Sequence, residues 1–101
     1  MKMRVVGDKL SLQLYQLAGI SGESPEEADE IVAAIDRFTA EPEVGVVLVT
    51  SSRVSKIGGR FNSYLERKKL PVVLQIPDFY DKQGGTDKIR KYLQKTLGIR
   101  M

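Results

Sequence analysis

Three short stretches of the chain, MRVV at 3 to 6, VGVVLVT at 44 to 50 and VVLQI at 72 to 76, are apolar and β-branched with little polar alternation. Continuous runs of this length suit parallel strands covered on both faces. A fourth, weaker strand is expected around Ile20 to Glu23. Between these runs the hydrophobic period lengthens to that of helices.

The first helix is expected from about Leu10, with Leu10, Leu14, Leu17 and Ala18 on its inward side and Gly19 ending it. In the second, Ser24 caps, Pro25 takes the first helical position and Glu27 completes a capping box. Ala28, Ile31, Val32, Ile35 and Phe38 then form its apolar stripe. A third helix, from about Arg53 to Lys69, presents Val54, Ile57, Phe61 and Leu65. Gly58 and Gly59 inside it each cost about 1 kcal/mol relative to Ala, which points to close packing of backbone against the sheet. A fourth follows KQGGT, capped by Thr86, with Ile89, Tyr92, Leu93, Thr96 and Leu97 at helical spacing and Gly98 as its stop.

Strands alternating with helices imply right-handed crossovers and a mainly parallel sheet with helices on both faces. Four strands then give the order 2-1-3-4, a flavodoxin-like or receiver-like α/β sheet reduced by one strand. The chain has 101 residues, enough for one domain with one core. Within it, residues 1 to 78 make the compact α/β part, and residues 79 to 101 make a loop and a C-terminal amphipathic helix. The irregular stretch PDFYDKQGG, 77 to 85, joins the two, and its Gly84-Gly85 pair is a candidate hinge.

Composition removes most enzyme chemistry. With no Cys and no His, the chain has no thiol nucleophile, imidazole base, Ser-His-Asp triad or zinc site of the usual type. No cofactor or metal is expected. No apolar run approaches the roughly 20 residues of a membrane span, and the first residues lack the apolar core of a signal peptide, so a cytoplasmic location without membrane insertion is expected.

Charge is unevenly placed. Residues 21 to 43 hold eight acids against Arg37, residues 53 to 69 six bases against Glu66, and residues 82 to 101 six bases against Asp87. Such blocks are ordinarily solvated helix faces, and they favour partners of complementary charge. Nucleic-acid binding is not expected, because Phe61, beside Arg60, fits the inward stripe of its helix rather than a stacking surface, and no recognition motif occurs.

Asp8 follows the first strand, where receiver domains keep an acid for magnesium. The phosphoacceptor Asp is missing, since the third strand ends in Thr50-Ser51-Ser52, and no Lys follows the last strand. Asp8 is therefore read as the N-cap of the first helix, and Thr50, Ser51 and Ser52 as turn and cap residues. Neither GxGxxG nor GxxxxGK[ST] occurs, and GDKLS has a single glycine, too few for a phosphate cradle. The last helix is more suggestive. Its stripe serves either to pack on the sheet or, if the helix swings away on its loop, to bind another protein.

In order, VVGD at 5 to 8, LAGI at 17 to 20, VGVVLVT at 44 to 50, LPVVLQIP at 70 to 77 and KTLG at 95 to 98 resemble the F subunit of the V-type/A-type rotary ATPases and ATP synthases. The resemblance lies in the order of these segments over nearly the whole chain. Two departures stand out: Tyr15-Gln16 replaces the Phe-Arg often found before Leu-Ala-Gly, and the segment after Ile20 is short.

The resemblance implies a non-catalytic part of the central stalk, docked on the coiled coil of the D subunit and turning inside the catalytic A/B head. It would couple ATP hydrolysis or synthesis to rotation and proton or sodium transport, peripheral to the membrane. It also implies a mobile C-terminal helix, with Ile89, Tyr92, Leu93 and Leu97 as apolar partner contacts and Lys88, Lys91 and Lys95 as charged ones. Phe79 and Tyr80, aromatics in a polar loop, join them as interface anchors. The rival readings are a degenerate receiver-like regulatory domain that binds a nucleotide or partner protein, and a basic RNA-binding module.

Overall fold

The computed structural model describes residues 1 to 78. The expected last helix, and with it Phe79, Tyr80 and every named contact from Lys88 to Leu97, lies outside the described residues.

Four strands, β1 (Lys2–Val6), β2 (Ser21–Glu23), β3 (Val44–Thr50) and β4 (Val72–Ile76), form one sheet in the order β2-β1-β3-β4, every neighbouring pair parallel. This is the expected α/β topology, including the weak second strand. The register places Val5, Leu48 and Leu74 in one row across the sheet and Val6, Val49 and Gln75 in the next. Because alternate residues point to opposite faces, β3 supplies Val47 and Val49 to one core and Leu48 to the other. This explains why its sequence shows no alternation.

Helix α2 (Ala28–Thr39) packs on one face with α3 (Ser51–Ile57) and α4 (Phe61–Leu65), enclosing Ile31, Ile35, Phe38, Ile57 and Phe61. On the opposite face α1 (Lys9–Leu17) covers Val5 and Leu48 with Tyr15.

Three of the expected helices differ in detail. In α1 the fully buried residues are Ser11 and Tyr15, and Leu14 packs against the same cluster as expected, whereas Leu17 is 83% exposed, Leu10 43%, and Ala18 is exposed as well. The Asp8 carboxylate accepts from the Ser11 backbone N–H at 3.0 Å and from its hydroxyl at 2.6 Å. This cap fixes the helix phase with Ser11 inward, and one turn later Tyr15 follows it. Helix α2 begins at Ala28, not Pro25, and no side chain caps it, so the capping box does not form. The carbonyls that a start at Pro25 would enlist are taken by α3: Arg53 Nε donates to Pro25 O and Lys56 Nζ to Glu26 O, each at 2.9 Å.

The expected third helix is divided. Gly58 adopts φ +56°, ψ −132°, ending α3, and a 3-10 turn over Gly58–Arg60 leads into α4. Nothing lies within 4 Å of a Cβ built on either Gly58 or Gly59. The glycines therefore serve the turn, not a close approach to the sheet. Leu65, expected inward, is 52% exposed, and Tyr64 packs in its stead.

Candidate interaction surface

In open α/β sheets, ligands bind at the carboxyl ends of the strands. Here the described residues of that edge are bonded to one another. Asp8 caps α1, as expected. Gly7 lies so close to Thr50 that a Cβ would come within 2.4 Å of the Thr50 methyl carbon. Thr50 is fully buried, and its hydroxyl lies 3.4 Å from that of Ser52.

Ser51 Oγ donates to the Ile76 carbonyl at 3.1 Å and accepts from Gln75 Nε2 at 3.2 Å. The Ser52 N–H, at the start of α3, donates to the Asp78 carboxylate at 3.0 Å. Sequence reasoning missed this role of Asp78. Its signal was the acid following Pro77, but the pairing spans 26 residues and needs β3 and β4 side by side. Arg53 completes the seam by donating to Pro25 O and to the Ser52 hydroxyl.

Little chemistry is gathered elsewhere among the described residues. No group of three or more acids is placed to hold a metal ion. A depression of about 420 Å³ beside β2 is lined by Glu23, Pro25, Glu30 and Arg37, and Arg37 is ion-paired with Glu23. Tyr64 donates to Asp36 at 2.8 Å. Burial first, then that hydrogen bond and the Asp36 charge, push its phenol up to about 12. None of the described helices is long and apolar enough to cross a membrane.

The feature that the fold leaves unspent is apolar. On the α1 face β4 exposes Val72 (42%) and Leu74 (45%), and Leu70 is exposed just before them. Val46, paired with Val72, is half-buried on the neighbouring strand. With about 100° of turn per residue and a right-handed crossover, Ser11 and Tyr15 facing the sheet put Leu12 on the β2 flank of α1. The same phase puts Leu10, Leu14 and Leu17 on the flank toward β3 and β4. The exposed Leu10 and Leu17, with the half-buried Leu14 below them, thus wall an open apolar groove whose floor is β3 and β4.

Among the described residues a closed carboxyl edge thus lies beside an open apolar groove. The model of the ATP synthase (F/14-kDa) subunit family matches residues 3–93. The chain belongs to this family. Among its relatives, the F subunit of the A-type ATP synthase of Pyrococcus furiosus is 28% identical, with 100% of this chain and 98% of the relative aligned. That of Pyrococcus abyssi is 29% identical over 98% and 96%, and that of Archaeoglobus fulgidus 28% over 97% and 94%. The family resemblance seen in the ordered segments VVGD to KTLG is therefore correct, and it spans the described domain as well as most of the segment after it.

Proposed function

We propose that the chain is the central-stalk F subunit of a V-type/A-type rotary ATPase or ATP synthase. In this reading it makes and breaks no bond itself. It binds the coiled coil of the D subunit, turns within the A/B head, and links ATP hydrolysis or synthesis to proton or sodium transport as a peripheral part of the complex.

The observation that carries the reading is the family match from β1 through residue 93. The physics of the domain suits the role. Torque is transmitted by a body that does not deform, and a parallel sheet whose β3 is buried at every residue but the half-buried Val46 is such a body. The partner contacts assigned to the C-terminal segment are Phe79, Tyr80, Lys88, Ile89, Lys91, Tyr92, Leu93, Lys95 and Leu97. Their apolar members recur at helical spacing, and their cations suit an acidic partner.

The test is co-expression with the D subunit of the same organism, followed by size-exclusion chromatography and intact-complex mass. A one-to-one complex is expected, weakened when the chain is truncated after Gly85. If the full chain elutes alone beside a folded D subunit, the stalk assignment is wrong.

A further inference from the structure

The groove beside α1 has the dimensions of one helix. Two strands at about 4.8 Å spacing give a floor about 10 Å wide, the diameter of a helix, and the five residues of β4 give it a length of about 17 Å, or some eleven helical residues. Its floor is Val46, Val72 and Leu74, and its wall is Leu10, Leu14 and Leu17.

Charge decides the occupant. The amino end of β4 is entered through Arg67-Lys68-Lys69, and among the described residues none of the three has an ion-pair partner. Arg67 donates instead to the Leu70 and Pro71 carbonyls. A helix with acidic flanks is attracted to this basic lip, and one with basic flanks is repelled. Residues 82 to 101 of the chain carry six bases against Asp87 and would bring like charge to it. A second copy would bring the same lip.

We infer that the groove seats one helix of a partner protein, an apolar seam flanked by acids. The inference deepens the stalk reading and rests on it for the probe, the D subunit. It places a second contact on the α/β domain itself, separate from the C-terminal segment.

The test uses the full chain and the D subunit. Leu74→Glu and Leu17→Glu each put a charge in the groove at an exposed position, so thermal unfolding should be little changed while the affinity for the D subunit falls about tenfold or more. Lys68→Glu with Lys69→Glu should weaken binding at low salt and flatten its salt dependence. Unchanged binding in all three variants overturns the groove assignment while leaving the stalk reading intact. Failure of the unaltered chain to bind the D subunit overturns the stalk reading, and the groove assignment falls with it.

The two other occupants are told apart by Leu74→Cys, a single thiol in a chain that has none. Fast alkylation in the isolated full chain, slowed when the D subunit is added, supports the proposal. Slow alkylation that truncation after Gly85 makes fast shows the chain's own tail in the groove, and slow alkylation relieved by dilution shows a second copy. Either overturns it.

Discussion

At the scale of single residues, the sharpest constraint is Gly22. A Cβ there would lie 1.9 Å from the Val5 carbonyl oxygen, which belongs to the neighbouring strand and cannot move aside. Gly22→Ala should cost about 3 kcal/mol in urea unfolding, at the upper end of overpacking penalties. Asp8 holds both the Ser11 N–H and the Ser11 hydroxyl, so Asp8→Ala should cost about 1 to 2 kcal/mol, and Asp8→Asn, which keeps an acceptor, distinctly less.

Tyr64 gives a pH signature. Its phenol is raised from 10.0 to about 12, so the folded protein holds that proton more tightly than the unfolded chain does. The associated stability is fully present below pH 10 and is lost as pH rises toward 12. Tyr64→Phe should remove this alkaline fall in melting temperature and delete a step near pH 12 from the ultraviolet tyrosinate titration.

At the scale of elements, two adjacent glycines make opposite predictions. Gly58 sits at φ +56°, where a side chain is strained, and Gly58→Ala should destabilise by about 1 kcal/mol. Gly59 has ordinary φ and open space around it, so Gly59→Ala should be neutral or stabilising by up to about 1 kcal/mol. Chemical denaturation of the pair separates a turn requirement from a packing requirement. The same comparison shows what was legible in the chain. That something interrupts the helix from Arg53 to Lys69 could be read from the two glycines, but which one turns the backbone could not, since both have the same sequence signal. Likewise the apolar positions of α1 announce a helix without its phase, because Leu10, Leu12, Leu14 and Leu17 lie on both flanks and Ser11 looks polar.

At the scale of the molecule, the described residues, 1 to 78, hold four strands and two buried clusters. A fragment ending at Asp78, which retains the bond to Ser52, should therefore unfold cooperatively, with circular dichroism and hydrogen exchange reporting a single transition. Loss of cooperativity would mean that the C-terminal segment belongs to the core, and the division at residue 78 would be wrong.

The sequence by itself determined three strands, the sheet order and the family. Apolar runs admit few other uses, and alternation with helices under right-handed crossovers leaves few topologies, which is also how the run-less β2 was placed. It also determined Asp8 as a cap, because capping is settled by residues three apart. Only the tertiary structure decided where α2 starts, which face of α1 is inward, what closes the carboxyl edge and where the apolar groove lies. Each of these depends on groups distant in the chain, such as Arg53 against Pro25, Asp78 against Ser52, and Tyr15 of α1 against Leu48 of β3. A backbone carbonyl claimed by a side chain 28 residues away leaves no trace in local pattern.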